Sequence, residues 1–211
     1  MRVAGLAFDF NGTLSDDEEL LYAIYAALFA EHGRPLSRDA YFGELAGLSE
    51  EAIIGRWLGV ADGRLAELVE ERVDRYVAAA DGSTIHAAVR AAVRAAARRV
   101  PVGVVSGARR REIVPVLEAA GLAETLSFLV AADDVREGKP HPESYLRAAQ
   151  AVGVAPAALL ALEDTEAGVA SAVAAGCRCV AVAGTLPPDR LAAADEVVAR
   201  IDVALVERLL G

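Results

Sequence analysis

The stretch VAGLAFDFNGT, residues 3–13, is an apolar run that ends at an acidic residue and a glycine-containing turn. Residues 3–8 carry no polar side chain, so both faces of this segment are expected to be buried. A short apolar run that stops at a turn signal is typical of a central strand in a parallel sheet. Asp9 directly follows the run, and we expect its side chain to lie at the carboxyl end of that strand.

Four later segments have the same apolar character and lie at residues 101–105, 127–131, 158–162 and 178–183. Helices are predicted between them, over residues 109–120, 142–152 and 165–175. Gly121, Gly153 and Gly176 follow these helices, at the position where helix C-terminal glycines belong. The alternation predicts an α/β fold, an open parallel Rossmann-like sheet with helices on both faces.

A long segment without strand character separates the first two predicted strands. Helices are predicted over residues 16–32, 38–45, 50–58 and 63–79, and Ser15 with Glu18 matches a capping box for the first of them. An alanine-rich helix follows over residues 84–99. We therefore predict an all-α domain, residues 15–81, inserted into an α/β core domain formed by residues 1–14 and 82–211.

Composition excludes several classes of protein. The 211 residues are 55% hydrophobic and 25% charged, which excludes intrinsic disorder. The net charge of −10 argues against a nucleic-acid surface. No apolar run reaches the roughly 20 residues that cross a bilayer, and no signal peptide is recognised before Phe8. Cys177 and Cys179 cannot form a disulfide framework, so we expect a cytoplasmic protein. We expect this protein to be a monomer or a homodimer.

The basic residues are unevenly divided between two types. Of the 21 basic residues only one, Lys139, is a lysine. Lysine presents a compact ammonium whereas arginine presents a planar fork, so the two are not interchangeable at a site. This single lysine is therefore a candidate functional residue.

Polar residues follow the predicted strands at the edge where parallel sheets bind ligands. Asp9, Ser106 and the pair Glu163-Asp164 each come after a strand, and Lys139 lies in the loop after the strand near residue 130. Clustered carboxylates repel one another unless a cation is present, and oxygen ligands suit Mg²⁺. A hydroxyl and an ammonium beside the metal would bind phosphate oxygens. The set predicts phosphoryl transfer, with a carboxylate as the attacking group.

Four segments resemble the motifs of the haloacid dehalogenase superfamily, in the family's order. DFNGT at residues 9–13 resembles the first motif, which usually reads D-x-D-G-T in the phosphatases, and Ser106 resembles the second. KPHP at residues 139–142, with Tyr145 after it, resembles the third, and Glu163-Asp164 resembles the fourth. The helical insertion after the first motif is similar to the helical cap of that family.

The resemblance implies a role for each matching residue. Asp9 would be the nucleophile and a Mg²⁺ ligand, and residue 11 would offer its backbone carbonyl to the metal. Asp164 would bind the metal directly, and Glu163 directly or through water. Ser106 and Lys139 would bind the phosphate, Thr13 would hold the first loop, and Lys139 would also balance the charge of Asp9. The candidate substrate-binding residues are Thr13, Ser106, Gly107, Arg109 and Lys139. The implied partner is a small phosphorylated metabolite bound beneath the cap.

Residue 11 departs from the family pattern, because Asn11 stands where the phosphatases have an acid/base Asp. An amide can neither protonate a leaving group nor activate water. Several explanations stay open: a leaving group that needs little protonation, a proton donor on the substrate, or a substitute carboxyl at Asp16, Asp17 or Glu18. Binding with little turnover is another, as is an Asn introduced to trap a complex.

The leading hypothesis is a Mg²⁺-dependent phosphatase that acts on a small phosphate monoester through a phospho-Asp9 intermediate. The alternatives are a sugar-phosphate mutase, which needs the acid/base group that Asn11 lacks, and a phosphate-ligand-binding or regulatory homologue. Dehalogenation is disfavoured because it needs no Mg²⁺ cluster.

Two features admit two interpretations each. Arg109 binds substrate or pairs with a nearby acid, and the segment Gly47-Leu48-Ser49 is a specificity turn or a helix N-cap.

Overall fold

A computed structural model describes residues 2–211 and contains one six-stranded sheet. The strands lie in the order β3-β2-β1-β4-β5-β6, and every neighbouring pair is parallel. Their bounds are β1 Gly5–Phe8, β2 Val102–Val105, β3 Phe128–Val130, β4 Leu159–Glu163, β5 Arg178–Val182 and β6 Glu196–Val198. The predicted α/β fold with a parallel sheet is confirmed.

Helices cover both faces of the sheet. They are α1 Glu18–Glu31, α2 Arg38–Ala40, α3 Glu50–Leu58, α4 Asp62–Ala79, α5 Ala87–Ala97, α6 Arg110–Ala119, α7 Glu143–Ala151, α8 Glu166–Ala174 and α9 Val203–Leu210. Gly121, Gly153 and Gly176 follow α6, α7 and α8 with positive φ angles of 66°, 69° and 79°. They end these helices as the sequence predicted.

The strands are apolar on both faces because each face packs against its own layer of buried side chains. In β1, Leu6 and Phe8 belong to one layer, whereas Ala7 belongs to the other. In β4, Leu160 belongs to the first layer and Ala161 to the second. Burial of both faces explains why the strands read as continuous apolar runs rather than as alternating ones.

Helices α1 to α4 all lie between β1 and β2 in the chain, where the sequence predicted an inserted helical unit. Within this unit α4 packs on both α1 and α3. Helix α5 instead packs on β2 and on the C-terminal α9. We propose the division anticipated from the sequence, with residues 15–81 as a cap and residues 1–14 and 82–211 as the core.

Several local predictions were wrong or incomplete. The predicted capping box does not form, because the Ser15 hydroxyl donates to Thr84 Oγ1 at 2.7 Å and helix α1 begins after Asp17 without a side-chain cap. The helix predicted over residues 38–45 is a single turn, α2, that continues as a π-helical turn over Tyr41–Leu45. Strand β6 and helix α9 were not predicted. Among residues 2–211, no helix is both long and apolar enough to cross a membrane.

Candidate active site

Four of the predicted site residues lie where the central strands end. Asp9 directly follows β1, Ser106 follows β2, and Glu163 is the last residue of β4, with Asp164 next to it. One carboxylate oxygen from each of Asp9, Glu163 and Asp164 lies within 4.8 Å of the other two, and all three residues are buried. The sheet thus brings three carboxylates together at its carboxyl edge, as expected for a parallel sheet.

The turn after β1 is tight and is held by its own backbone. Asp9 continues the sheet, since its N–H donates to the Leu162 carbonyl at 2.8 Å. The N–H groups of Leu14 and Ser15 both donate back to the Phe10 carbonyl, at 2.9 and 2.8 Å. Gly12 has a φ of 73°, and a Cβ at this position would collide with the Asp164 carboxylate. Residue 12 must therefore be glycine for the turn to approach the acidic cluster.

Lys139 reaches the cluster from the loop between β3 and α7. Its Nζ donates to Asp9 Oδ1 and to Glu163 Oε1, each at 2.5 Å, and to the Val105 carbonyl at 3.1 Å. The side chain is only 11% exposed. All three ammonium donors are thus directed to oxygen atoms, and Lys139 connects the ends of β1, β2 and β4.

Glu163 is fixed from two further sides. The hydroxyl of Tyr145, a buried residue of α7, donates to Glu163 Oε1 at 2.6 Å. Gly168, in the first turn of α8, lies so close that a Cβ there would overlap the Glu163 carboxylate. The sequence places Tyr145 and Gly168 next to the third and fourth motifs, and the structure shows that both pack on this acid.

Asp164 is buried next to the first turn and is held by Thr13. The Thr13 hydroxyl donates to Asp164 Oδ1 at 2.9 Å. Oδ2 of the same carboxylate is buried without a hydrogen bond of normal geometry, beside the Thr185 hydroxyl. Thr13 therefore lies behind the acidic cluster and contacts Asp164, rather than lining the cleft described below.

The electrostatics of the cluster follow from burial and from its unequal charges. Burial raises the pKa of Asp9 to about 7, with Lys139 opposing the shift and Glu163 adding to it. Burial and the charges of Asp9 and Glu163 raise the pKa of Asp164 well above its ordinary value. Burial disfavours the ammonium of Lys139, but Asp9 and Glu163 outweigh this and raise its pKa. Three carboxylates share one ammonium, so negative charge is in excess.

The donor set fits a hard divalent cation. Asp9, Glu163 and Asp164 offer carboxylate oxygens within reach of one another, and Oδ2 of Asp164 is a buried acceptor without a regular donor. Mg²⁺ prefers oxygen ligands and is bound in proteins by a few carboxylates together with water and phosphate. A divalent charge would also balance the excess negative charge of the cluster.

Asn11 is held by an acid that comes from the start of the cap. Its Nδ2 donates to Asp17 Oδ2 at 2.8 Å, and the Gly12 N–H donates to Asp17 Oδ1 at 3.3 Å. The hydroxyl of Tyr76, in α4, donates to the same Asp17 Oδ2 at 2.5 Å. Because a carboxylate only accepts, the amide nitrogen of Asn11 must face Asp17, which leaves Oδ1 as its remaining polar atom. Asp17 is itself 1% exposed.

A cleft of about 450 Å³ opens between the inserted helices and the sheet edge. Its core side includes the predicted residues Asp9, Asn11, Ser106, Gly107, Arg109 and Lys139. Its other side is built from the insertion and includes Glu18, Tyr25, Tyr41, Glu50 and Arg72. The predicted residues Thr13, Glu163 and Asp164 lie behind Asp9 and do not line the cleft.

Ser106 presents its hydroxyl to this cleft. Its backbone N–H donates to the Val130 carbonyl at 2.9 Å, and its Oγ accepts the Ala108 N–H at 3.0 Å. The O–H of Ser106 is thereby available as a donor to a ligand, and Gly107 beside it leaves open space. Ser106 does not cap the next helix, because α6 begins after Arg109.

Arg109 lines the cleft and also forms an ion pair. Its guanidinium contacts Glu70 of α4. Its backbone N–H donates to Glu112 Oε2 at 3.0 Å. Arg111 binds the same Glu70 at 2.5 Å and Asp74 at 2.6 Å. Acids of the inserted unit thus offset the positive charges at the start of α6. Both interpretations of Arg109 from the sequence fit its position.

The segment Gly47-Leu48-Ser49 caps a helix and also lines the cleft, and its role as a specificity turn stays a prediction. Ser49 Oγ accepts the Ala52 N–H at 3.3 Å, which makes Ser49 the N-cap of α3. All three residues line the cleft, and Gly47 approaches Thr165 at the start of α8. The segment is therefore the part of the insertion that faces the fourth motif.

Some residues of the site were not identified from the sequence. Arg72 and Tyr76 reach the site from α4, and Thr185 comes from the loop after β5. Tyr76 and Arg72 lie four residues apart on a helix, where both resemble ordinary amphipathic positions. Only their buried contacts with acids of other segments distinguish them, and these contacts leave no local pattern.

Sequence comparisons agree with this geometry. A family model described as haloacid dehalogenase-like hydrolase matches residues 3–176. Among curated proteins, the validoxylamine A 7'-phosphate phosphatase of Streptomyces hygroscopicus subsp. limoneus is 33% identical over 191 residues, which cover 89% of each chain.

Solved structures share the fold over almost the full length. A mutant of CbbY from Rhodobacter sphaeroides, in complex with xylulose-(1,5)bisphosphate, superposes with a TM-score of 0.82 at 25% identity and covers 94% of both chains. A family IA HAD hydrolase from Entamoeba histolytica has a TM-score of 0.86 at 22% identity, with 99% of both chains covered. The insertion of helices into a parallel sheet is therefore shared with known structures.

Proposed function

The chain belongs to the haloacid dehalogenase-like hydrolases, and on this basis we propose that it is a phosphatase that hydrolyses a small phosphate monoester. The site offers a buried carboxylate, an ammonium and a hydroxyl around one opening. In the proposed reaction the Asp9 carboxylate attacks phosphorus and forms a phospho-aspartate, which water then hydrolyses.

The observation that carries this proposal is the position of Lys139 Nζ, 2.5 Å from both Asp9 Oδ1 and Glu163 Oε1. The ammonium holds the Asp9 carboxylate in one orientation and partly offsets its charge, so that a dianionic phosphate can approach. The Ser106 hydroxyl would donate to a phosphoryl oxygen, and the Lys139 ammonium would attract the phosphate by its charge, since both residues line the cleft next to Asp9.

We propose that Mg²⁺ is held by the carboxylates of Asp9, Glu163 and Asp164 and by the backbone carbonyl of Asn11. When bound, Mg²⁺ would stabilise the negative charge that develops on the phosphoryl oxygens. The protein residues prepare this site: Thr13 orients Asp164, and Tyr145 orients Glu163. Gly12 and Gly168 allow the close approach that these contacts need.

The cleft supports a small polar substrate. The relatives reported above carry the names of a phosphate ester and a sugar bisphosphate. In this chain the cap side of the cleft presents Glu18, Glu50, Tyr41 and Arg72, which suit a hydroxyl-bearing molecule. We therefore propose a phosphorylated metabolite whose hydroxyl groups face the inserted helices.

The test is a phosphate-release assay over a panel of phosphorylated metabolites, with Mg²⁺ and with EDTA. We expect Mg²⁺-dependent turnover of at least one ester and its loss in Asp9→Asn, which removes the nucleophile but keeps a similar shape. A protein that releases no phosphate from any ester, and whose melting temperature is unchanged by Mg²⁺ and phosphate mimics, would overturn the proposal.

The same assay separates the phosphatase from a binding or regulatory homologue. A phosphatase shows continuous release, because water regenerates Asp9 after each turnover. A homologue that keeps the pocket but lacks acid–base function gives one burst of phosphoenzyme without steady release. Rapid quenching and mass measurement of the intact chain distinguish these two outcomes.

A further inference from the structure

We propose that Glu18 is the general acid and base of this site, supplying a proton to the leaving-group oxygen and later taking one from water. This inference rests on the proposed phosphatase function. It assigns to a residue of the inserted helices the proton transfer that Asn11 cannot perform. Glu18 lines the same cleft as Asp9 and Asn11.

The need for a proton donor follows from the chemistry of alkyl phosphates. Cleavage of such an ester releases an alkoxide unless a proton arrives as the bond breaks. Lys139 is committed to Asp9, Glu163 and the Val105 carbonyl, and its pKa is raised, so it is a poor proton donor. The donor must therefore be another group that faces the cleft.

The neighbouring acids Asp16 and Asp17 are not in a position to donate a proton to a bound substrate. Asp17 lies behind Asn11, where its oxygens accept from Asn11, Tyr76 and Gly12, and it does not line the cleft. Asp16 is on the outer surface, with a side chain 74% exposed that contacts His86. Neither acid is positioned to reach a bound substrate.

The other carboxyl groups of the cap that line the cleft are either ion-paired or exposed to solvent. Burial raises the pKa of Glu50 to about 7 with Arg72 opposing the shift, but Glu50 Oε1 is bound by the buried Arg72 guanidinium at 2.7 Å and is not free for a substrate. Glu51 is exposed at the start of α3. Glu18 differs from Glu50 because it forms no ion pair within residues 2–211, and from Glu51 because its side chain is half-buried.

The contacts of Glu18 leave one oxygen free for substrate. Oε2 accepts a hydrogen bond from the Tyr41 hydroxyl at 3.1 Å, while Oε1 has no hydrogen-bond partner within residues 2–211. The charged groups around it are Asp17 and Asp16 on its own segment, Arg72 on α4 and Asp164 after β4. Burial, and then the negative charge of Asp17, raise the pKa of Glu18 to about 7, while Tyr41 and Arg72 oppose the shift. Both protonation states are accessible near neutral pH.

The proton balance closes over one turnover. In the first step the Asp9 carboxylate forms a bond to phosphorus, the P–O bond to the substrate breaks, and the Glu18 proton moves to the leaving oxygen to give an alcohol. In the second step water attacks the phospho-aspartate, its proton returns to the Glu18 carboxylate, and phosphate leaves. Asp9 and Glu18 are then in their starting states.

Glu18→Gln is the direct test, because Gln keeps the shape and can still accept from Tyr41 but cannot transfer a proton. The matched control is Glu19→Gln, the next residue of α1, whose exposed side chain pairs with Arg38 away from the cleft. We measure kcat and KM for an alkyl phosphate and for p-nitrophenyl phosphate, whose leaving group needs little protonation. Melting temperatures verify that each variant is folded.

We expect Glu18→Gln to lower kcat for the alkyl ester by at least about 10²-fold, in line with general acid catalysis. The loss of kcat/KM, which reports only the first step, should be at least tenfold smaller with p-nitrophenyl phosphate than with the alkyl ester. The descending limb of the pH–kcat profile above about pH 7, where Glu18 loses the proton that it donates, should disappear. Glu19→Gln should retain the wild-type profile. Equal losses for both esters, or an unchanged pH profile, would overturn the assignment.

The Asn11→Asp background supplies a second measurement. An Asp at position 11 would offer another proton donor. The factor by which Glu18→Gln lowers kcat for the alkyl ester should therefore be at least tenfold smaller in that background than in the native chain. An equal loss of kcat in both backgrounds would contradict the role of Glu18. Failure of the proposed function is distinguishable, because the native chain would then release no phosphate from either ester.

Discussion

Arg72 of α4 and Glu112 of α6 form an ion pair in which the side chains are only 3% and 1% exposed. The same guanidinium binds Glu50 and lies over the rings of Tyr25 and Tyr76, 5.5 and 5.4 Å from their centroids. One residue thereby connects two inserted helices to the helix that follows β2. Surface pairs of Arg109 and Arg111 with Glu70 reinforce this contact.

Arg72→Met should lower the free energy of unfolding by about 3–5 kcal/mol, because it leaves Glu50 and Glu112 buried without their cation. Arg75→Met is the matched control on the same helix. Arg75 forms more exposed pairs with Glu31 and Glu71, so its loss should cost less than about 1 kcal/mol. Urea unfolding measures both values, and equal costs would show that the buried pair has no special weight.

Lys139→Met should destabilise the protein in EDTA by about 3–5 kcal/mol, because Asp9 and Glu163 lose their only shared cation. A divalent ion can replace part of that charge. We therefore expect Mg²⁺ to raise the melting temperature of the variant by more than it raises that of the native protein. Differential scanning calorimetry with and without Mg²⁺ tests this, and equal shifts would contradict it.

Asp164→Asn should stabilise the protein in EDTA by about 1–3 kcal/mol at pH 8, because it removes a buried carboxyl group whose ionisation is disfavoured by burial and by Asp9 and Glu163. Asn keeps an oxygen that can accept from Thr13. The same change should abolish the rise in melting temperature that Mg²⁺ produces in the native protein. Thermal unfolding over a Mg²⁺ titration gives both quantities. A variant that is stabilised by Mg²⁺ as strongly as the native chain would disprove the metal assignment.

The raised pKa of Glu18 predicts a pH dependence of stability. The pKa moves from an ordinary value of 4.5 to about 7, so the folded state binds the proton more tightly than the unfolded state does. The resulting stabilisation is full below pH 4.5 and is lost as the pH rises through 7, an effect of about 3 kcal/mol. Glu18→Gln should therefore stabilise the protein relative to the native chain at pH 8 but not at pH 4. Urea unfolding at the two pH values is the measurement, and a stability difference independent of pH would refute it.

Asn11→Asp should raise phosphatase turnover on alkyl phosphate esters, because it places a titratable carboxyl beside Asp9. The new carboxyl would face Asp17, which now accepts from the Asn11 amide at 2.8 Å. The two acids would have to share a proton, so we expect the single variant to lose stability and the double variant with Asp17→Asn to regain it. Steady-state assays and thermal unfolding test both effects. Equal or lower turnover than in the native chain would contradict this interpretation of residue 11.

The strands and the helices of the core were predictable because their signals are local. Apolar runs such as residues 158–162 end at acids, and Gly121 or Gly153 marks a helix end wherever it follows an amphipathic segment. Strand β6 escaped prediction because its three residues, Glu196–Val198, are half-buried at the edge of the sheet and form no long apolar run. Its pairing with β5 is a tertiary contact without a local signature.

The candidate site was predictable to the extent that strand ends place it. Asp9, Ser106, Glu163 and Asp164 follow strands, so the topology brings them to one edge. The capping box failed because Ser15 turns to Thr84, a residue 69 positions later in the chain. The contact of Asp17 with Asn11 and Tyr76 could not be anticipated for the same reason, since Tyr76 lies on a helix whose placement the local sequence does not determine.

The use of arginine for every other basic position has a practical consequence. Lys139 carries the only ε-amine of the chain, and that nitrogen lies between Asp9 and Glu163. Isotope labelling of lysine would therefore give a single side-chain ammonium resonance in NMR spectra, and that resonance would originate at the proposed centre of phosphate chemistry. The protein thus contains its own spectroscopic probe, which reports ion binding and phosphorylation without an attached tag or a change of sequence.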